Sequence, residues 1–295
     1  MPKNVTTLDD KLGTLLFPLN QAGIIFNFFW NYLTTLKINP ENGEVVISQD
    51  GKKARVKIVQ TEKMGKNTGY AAFAFRGKNI KLYFGSRKEL VDTILMIKNE
   101  FFNAESGWLD VKGKEVVDIG AYVGDTAIFF LLNGAKHVYG IEPYPYFYEV
   151  GRKNVAINGM GSKITMVNAG VASKGGKVMI DTQSREFSGK SFKRKGNEKA
   201  IEMISLEGIV RKYGLRDAAL KIDCEGHEYD IMIKAKNAVL RRFSEIEIEY
   251  HYGYLNLEKK LIGAGFSVEH HKPVKKFNFG TKSVMVNGFI HAKRI

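Results

Sequence analysis

Apolar and polar positions alternate with a period of two in the first part of the chain. Between Glu44 and Phe84 this pattern predicts strands with one buried face. The pair Asp50-Gly51 between two such runs predicts a tight hairpin turn, and Gly77-Lys78-Asn79 predicts a second turn. A helix with one apolar side is predicted over about 86–102. We therefore expect a small α+β unit in this part of the chain.

The second part of the chain alternates short aliphatic runs with amphipathic segments of helical length. This alternation of strands and helices predicts a parallel sheet with crossover helices, because neighbouring parallel strands cannot be joined by a tight turn. The predicted strands are 115–119, 137–141, 163–167, 219–223 and 244–250, and the predicted helices are 124–133, 145–158, 205–214, 226–240 and 255–263.

The first strand of this second part runs into a glycine turn. Gly120 and Gly124 follow β-branched residues where the strand must give way to a helix, and glycine permits a sharp turn and the close approach of a ligand. The next strand ends in Glu142, whose carboxylate can accept hydrogen bonds from the two hydroxyls of a ribose. Position 122 is Tyr, so the dinucleotide fingerprint Gly-x-Gly-x-x-Gly is absent. This difference favours an adenosyl ligand without a pyrophosphate over the cofactor of an oxidoreductase.

Acidic residues and histidines follow the fourth and fifth predicted strands. They are Asp223, Glu225 and His227 after the fourth strand, and Glu249 and His251 after the fifth. A carboxylate or an imidazole can remove the proton of an alcohol while a new bond to its oxygen forms. Structural roles are the alternative: Asp223 can fix the turn, Glu225 can cap the next helix, and an isolated histidine is often only a hydrogen-bonded residue. A metal site formed by Asp223, Glu249 and His251 is an alternative, but no ligand-spacing motif supports it, so we expect no metal.

Three segments together carry a resemblance to a known family. They are Asp118-Ile119-Gly120-Ala121-Tyr122-Val123-Gly124, then Gly140-Ile141-Glu142-Pro143, then Lys221-Ile222-Asp223-Cys224-Glu225-Gly226-His227-Glu228. With them, the sequence from about 108 to 292 resembles the FkbM family of S-adenosylmethionine-dependent methyltransferases. Tyr122 and Cys224 depart from the residues usual in the family, but no carboxylate or glycine of the motifs is lost.

The resemblance implies the fold of the class I methyltransferases, a Rossmann-like α/β fold. Its seven-stranded, mostly parallel sheet is closed by an antiparallel C-terminal hairpin, which Phe266 to His270 and Ser283 to His291 resemble. The resemblance also implies S-adenosylmethionine as the cofactor. Gly120 and Gly124 are then expected to line its methionine part, and Glu142 is expected to meet its ribose.

Further cofactor contacts are expected around the same loop. Asp118 orders the loop or meets the amino group of the cofactor through water, and Tyr122 covers the ligand. Asn168 and Ala169 follow the third strand and either border the adenine or form a plain turn. The set expected to bind the cofactor is Asp118, Gly120, Ala121, Tyr122, Gly124, Glu142, Asn168 and Ala169.

The resemblance also suggests the reaction. FkbM relatives largely act on hydroxyls of sugars and natural products, so we expect an enzyme that methylates an oxygen of a sugar, a glycan or a small metabolite. The expected catalytic residues are Asp223, Glu225, Glu249 and His251. A non-catalytic adenosyl-binding protein is the alternative outside enzymes, and the presence of Asp223 speaks against it.

The charge of the chain favours a different acceptor. There are 45 Lys and Arg residues against 31 Asp and Glu residues, which gives a formal net charge of +14. Such an excess favours polyanions such as RNA. Several of the basic residues lie in the segment 183–199, which has no apolar period and is predicted to be a solvated loop. The alternative function is therefore a tRNA or rRNA methyltransferase that binds RNA with this loop and the N-terminal domain.

The rest of the sequence bears on the domain boundaries and on the cellular location of the protein. We expect an accessory α+β domain over 1–107 and a methyltransferase domain over 108–295. The apolar stretch 12–36 is interrupted by polar residues and is a poor transmembrane segment, so it is expected to pack on the protein's own core or on a second subunit, with a membrane-surface anchor as the alternative. The single cysteine forbids an internal disulfide. A cytoplasmic protein is the simplest expectation.

Overall fold

The computed structural model describes residues 35–39, 44–49, 52–60, 68–181, 198–278 and 283–295. The described residues up to Ala104 belong to one compact unit, and those from Glu105 onward belong to a second. Most of the apolar stretch 12–36, the turn at Asp50-Gly51 and most of the basic segment 183–199 lie outside the described residues.

An antiparallel sheet forms the first unit, with five strands in the order β1-β2-β3-β4-β5. Helix α1 follows the sheet. Its first turn is capped by the Ser86 hydroxyl, which accepts a hydrogen bond from the backbone N–H of Glu89. The helix then continues as a π-helical turn. The elements are β1 Thr35–Asn39, β2 Glu44–Gln49, β3 Lys52–Gln60, β4 Gly69–Phe75, β5 Lys78–Phe84, α1 Arg87–Met96 and the π-helical turn Ile97–Phe102.

Strands and helices alternate in the second unit. The strands are β6 Glu115–Ile119, β7 His137–Ile141, β8 Ile164–Val167, β9 Gly170–Ala172, β10 Gly176–Asp181, β11 Glu198–Ser205, β12 Ala218–Ile222, β13 Phe243–Tyr250, β14 Phe266–His270, β15 Val274–Asn278 and β16 Ser283–Arg294. The helices are α2 Asp125–Leu132, α3 Pro145–Ile157, α4 Leu206–Tyr213, α5 Glu228–Lys234, α6 Asn237–Leu240 and α7 Leu255–Gly263. Among the described residues, no helix is both long and apolar enough to cross a membrane.

The main sheet has the strand order β14-β16-β13-β12-β6-β7-β8. The pairs from β13 to β8 are parallel, whereas β16 runs antiparallel to both β13 and β14. The predicted fold class, a mostly parallel sheet with an antiparallel C-terminal hairpin, is confirmed. The strand order reverses on either side of β6 and β12, and ligands bind at such a switch point in open α/β sheets.

One local prediction is wrong, and one small sheet was not predicted. The helix predicted over 226–240 is split into α5 and α6, because Ala235 and Lys236 are extended. The Ala235 carbonyl instead accepts a hydrogen bond from Lys260 on α7. In addition, β9, β10 and β11 form a separate three-stranded sheet where no strands were predicted.

The two faces of the main sheet differ in character. Along β13, residues Ile246, Ile248 and Tyr250 point into the apolar core beneath helices α4 to α7. The alternate residues of the central strands place charged groups on the opposite face. These are Asp118 on β6, Lys221 on β12, Glu245, Glu247 and Glu249 on β13, and Asp223 just after β12. Most of them are buried, so this face carries ionisable groups away from water.

Candidate active site

The loop between β6 and α2 lies directly against the end of β12. Gly120 has a φ of +82°, and a Cβ atom at this position would lie 1.7 Å from the carbonyl oxygen of Asp223. Both the backbone conformation and the available space therefore exclude a side chain there. Gly124 also has a positive φ, +75°, and immediately precedes α2. Gly120 brings the backbone of this loop into contact with the strand end that carries Asp223, whereas Gly124 lies against Gly151 on α3.

Glu142, just after β7, fixes the same loop. One carboxylate oxygen accepts the backbone N–H of Tyr122 at 3.0 Å, and the other accepts that of Tyr144 at 2.8 Å. Burial raises the pKa of Glu142 to about 8, although these two hydrogen bonds lower it. Tyr122 has a φ of +45°, which is uncommon for a residue with a side chain. Its ring packs on Phe147, with 4.3 Å between the ring centroids.

The groups around this loop fit an adenosyl ligand. A carboxylate oxygen can accept two hydrogen bonds, so each oxygen of Glu142 keeps an acceptor position for a ribose hydroxyl. Gly120 and Gly124 present backbone instead of side chains. Asn168 donates hydrogen bonds to the carbonyl oxygens of Glu142 and Pro143 and so ties the end of β8 to this place. Its neighbour Ala169 is buried in the apolar core.

Asp118 lies beneath the loop and is fully buried. It accepts a hydrogen bond from the hydroxyl of Thr126 on α2, and Lys221 Nζ lies 3.7 Å from its other oxygen. Lys221 Nζ is also 3.4 Å from a carboxylate oxygen of Asp223. Burial raises the pKa of Asp118, and the charge of Lys221 opposes this effect. Asp118 thus holds the start of α2 and shares one lysine with Asp223.

Four of the predicted site residues meet at the ends of β12 and β13. We call Asp223, Glu225, Glu249 and His251 the β12–β13 cluster. One oxygen each of Asp223 and Glu225 and one ring nitrogen of His251 all lie within 4.8 Å of one another. Glu225 Oε2 is 3.6 Å from His251 Nε2. Glu225 has a φ of +53°, so its backbone is in the left-handed region that few residues with side chains adopt.

The orientation of His251 is set by Glu228, a residue that the sequence analysis did not select. Glu228 Oε1 lies 3.1 Å from the ring atom Nδ1 and also accepts the backbone N–H of His251. Its other oxygen accepts the N–H of Gly226. Burial lowers the pKa of His251, but the hydrogen bond and charge of Glu228, with the charges of Glu225 and Glu249, raise it to about 9. Glu228 lies in the first turn of α5, where acidic residues are common, so no feature of the sequence distinguishes it as a site residue.

Two further carboxylates lie on the charged face of β13. Burial raises the pKa of Glu249 well above its usual range, and the charge of Asp223 adds to this effect. Glu247 is 1% exposed, and neither of its oxygens has a hydrogen-bond partner in the described part of the chain. Burial raises the pKa of Glu247 to about 8. His227, weighed beside these residues in the sequence, is exposed at the start of α5 and is not part of the cluster.

The strand order and the glycine loop define a class I, S-adenosylmethionine-dependent methyltransferase. A family model described as the methyltransferase FkbM domain matches residues 118–271, more than half of the chain. The protein therefore belongs to the FkbM methyltransferase family, and the resemblance seen in its sequence is confirmed. A search of the curated proteins finds no match.

Solved methyltransferase structures match larger parts of the chain at low identity. TrmK of M. capricolum in complex with S-adenosylhomocysteine is 11% identical, with a TM-score of 0.44, over 65% of this chain and 66% of that one. Precorrin-6y C5,15-methyltransferase of Geobacter metallireducens is 18% identical, with a TM-score of 0.39, over 66% and 88%. The tRNA m1G37 methyltransferase of M. jannaschii is 12% identical, with a TM-score of 0.42, over 78% and 59%.

Proposed function

We propose that the protein transfers a methyl group from S-adenosylmethionine to a hydroxyl oxygen of a sugar, a glycan or a small metabolite. The observation that carries this proposal is the contact between Gly120 and the carbonyl of Asp223. Through it, the loop expected to hold the methyl donor and the β12–β13 cluster share one edge of the sheet. A methyl donor and groups able to activate a hydroxyl would then face each other.

In this proposal the cofactor lies on the loop after β6. Gly120, Ala121 and Gly124 would line its methionine part, Glu142 its ribose, and Tyr122 would cover it from the side of Phe147. Asp118 would support the loop from below through Thr126, and Asn168 would border the adenine. When bound, the cofactor supplies an electrophilic methyl group. The protein's own task is to place an acceptor oxygen in line with that group and to take its proton.

Asp223 is the group we assign to the proton transfer. Its side chain is 30% exposed, whereas that of Lys221, which contacts one of its oxygens, is 6% exposed. The lysine orients the carboxylate, and the second oxygen remains able to accept the hydroxyl proton. Glu225, Glu249 and His251 surround the same space and would hold the acceptor through further hydrogen bonds.

RNA is the second candidate acceptor, and the net charge of +14 supports it. The β12–β13 cluster argues against it, because several carboxylates at the acceptor position would repel a phosphate backbone. We therefore assign the hydroxyl of a small molecule or glycan as the first acceptor class and RNA as the second.

Transfer of radiolabel from S-adenosylmethionine tests the proposal. The purified protein is incubated in parallel with a small-molecule and glycan extract and with total RNA. We expect label in the first fraction, and we expect Asp223→Asn to lower this transfer by about 100-fold or more, the usual contribution of general base catalysis. Binding of S-adenosylhomocysteine should remain.

His227→Ala is the matched control, because His227 belongs to the same segment but is exposed and outside the cluster. Its transfer rate should equal that of the wild type. Label in RNA alone would replace the acceptor proposed here. Full activity of Asp223→Asn would remove Asp223 from the proton transfer.

A further inference from the structure

Carboxylates outnumber cationic groups among the residues of the β12–β13 cluster. The charges of Glu225, Glu228 and Glu249 all act on His251, and Asp223 is the fourth carboxylate at this edge. Lys221 contacts Asp223 but is shared with Asp118. A site of this composition favours a positively charged ligand.

The spacing of three groups matches one coordination sphere. An oxygen of Asp223, an oxygen of Glu225 and a ring nitrogen of His251 lie within 4.8 Å of one another. Any two ligand atoms that lie about 2.0–2.4 Å from a common divalent cation are at most about twice that distance apart, and the spacing of these three atoms keeps within that limit. Two carboxylates and one imidazole form a donor set that suits a divalent cation.

His251 is also oriented as a metal ligand. Its Nδ1 atom is engaged by Glu228, and the backbone N–H of the same residue donates to that carboxylate. The Nε2 atom faces Glu225. A metal-bound histidine commonly donates its other ring N–H to a carboxylate, which fixes the tautomer and the plane of the ring. Glu228 is placed to do this for His251.

An independent observation comes from Glu247, the carboxylate next to the cluster on the same face of β13. It is 1% exposed, and neither oxygen has a hydrogen-bond partner in the part of the chain that the structure describes. It pairs in register with Lys221, two residues before Asp223, and the charge of Asp223 acts on it. Burial favours the neutral acid of Glu247, and a cation bound at the cluster would favour its ionised form.

We propose that Asp223, Glu225 and His251 bind one divalent cation, Mg²⁺ or Mn²⁺, beside the acceptor position. This inference rests on the proposed function, since the cation would bind the acceptor oxygen and lower the pKa of its hydroxyl. Asp223 would then bind the ion through one carboxylate oxygen and, as in the proposed function, take the hydroxyl proton on the other. The three ligands come from the ends of two strands and form no local spacing motif, so the amino-acid sequence alone does not predict this metal site.

Binding of Mn²⁺ to the full chain, measured by electron paramagnetic resonance of the free ion, tests the site without any acceptor. We expect one saturable Mn²⁺ site per chain that Mg²⁺ displaces. Glu225→Gln should weaken the affinity by about 10-fold or more. The Glu225 side chain is 45% exposed, so this change should leave the fold intact, as its thermal unfolding would show.

Glu149→Gln is the control, because Glu149 is an exposed carboxylate on α3 outside the cluster. It should bind Mn²⁺ as the wild type does. Absence of saturable binding, or equal affinity of Glu225→Gln and the wild type, would overturn the metal site. Binding of spermidine but not of Mn²⁺ would also overturn it and would assign the cluster to an ammonium group of the acceptor. Because these readouts need no methyl transfer, they stay separate from a failure of the proposed function.

Discussion

Gly120 shows how a single missing side chain shapes the site. Replacement by Ala would place a Cβ atom 1.7 Å from the backbone carbonyl oxygen of Asp223, at a φ of +82°. A backbone atom cannot rotate away as a side chain can, so the loop or the end of β12 must move. We expect Gly120→Ala to lower the free energy of unfolding by more than about 2 kcal/mol and to weaken S-adenosylhomocysteine binding at least tenfold, to be measured by urea denaturation and calorimetry.

Gly159 provides the control for this change. It also has a positive φ, +68°, but a Cβ atom there would meet nothing within 4 Å. Gly159→Ala should therefore show only the conformational cost, about 1 kcal/mol, with unchanged cofactor binding. Equal effects of the two substitutions would mean that the contact between the loop and β12 does not position the cofactor.

The raised pKa of Glu142 predicts how the stability of the protein depends on pH. Burial raises the pKa of Glu142 from 4.5 to about 8, so between these values the folded protein holds a proton that the unfolded chain releases. Its contribution to stability is therefore present at low pH and is lost as the pH rises through about 8. We expect the free energy of unfolding of the cofactor-free protein to fall more steeply between about pH 5 and pH 8 than that of Glu142→Gln.

Urea denaturation at several pH values measures this difference. The Gln variant should also be less stable at low pH by about 1 kcal/mol, because its amide nitrogen leaves one of the N–H groups of Tyr122 and Tyr144 without an acceptor. Parallel pH profiles of the wild type and the variant would show that Glu142 is ionised in the folded protein. Asp125 and Glu247 titrate in both proteins and cancel in the comparison.

Strand β12 carries Lys221, whose ammonium group lies close to carboxylates at the centre of the sheet. Lys221 lies in register with Asp118 on β6 and with Glu247 on β13, and it also contacts Asp223. Its removal would leave the buried carboxylate of Asp118 without its cation and would remove the ion pair with Asp223. We expect Lys221→Met to lower the free energy of unfolding by about 3–5 kcal/mol, which urea denaturation would measure.

A double-mutant cycle with Asp118→Asn isolates the pair. If the loss comes from an uncompensated charge, the double variant should recover part of the stability that Lys221→Met loses. Strict additivity of the two changes would show that Lys221 acts through packing alone. Where the single variant folds, its kcat should fall more than its KM changes, because Asp223 would lose the group that orients it.

Much of the element pattern of the second unit could be predicted from the sequence. Helix 255–263 and the strands 115–119, 137–141 and 266–270 have the predicted bounds, because their apolar periods are clear and glycine or polar residues end them. Strand β9 has only three residues, too few to show a period. The break between α5 and α6 has no glycine or proline, since it comes from a contact of the Ala235 carbonyl with Lys260.

The charged face of the sheet illustrates a second limit. The run Glu245-Ile246-Glu247-Ile248-Glu249 alternates as a strand with one solvated face does. In the structure Glu245 and Glu247 are buried, and only long-range partners such as Lys114 and His291 reveal how Glu245 is accommodated. Sequence proximity indicated Asp223, Glu225, Glu249 and His251 as site residues, but Glu228 and Lys221 emerged only from the packing of one strand against the next.

At the scale of the whole molecule, the positive net charge of the chain favours one class of acceptor, and the acidic β12–β13 cluster favours another. The chain has a net charge of +14, whereas the β12–β13 cluster is rich in carboxylates. Basic residues that serve RNA binding produce a strong dependence of affinity on salt, because each phosphate contact releases counterions. A small hydroxyl acceptor bound at the cluster makes no such contacts.

The effect of salt on methyl transfer therefore separates the two acceptor classes. For a hydroxyl acceptor we expect KM to change less than about twofold between roughly 50 and 200 mM salt, whereas an RNA bound through several phosphates would lose about 10³-fold or more. Replacing the basic residues of the segment 183–199 by Gln should likewise leave KM unchanged. The residues to replace are Arg185, Lys190, Lys193, Arg194, Lys195 and Lys199. A steep salt dependence that this variant reduces would instead identify the segment as an RNA contact, and the excess positive charge would then belong to the substrate site.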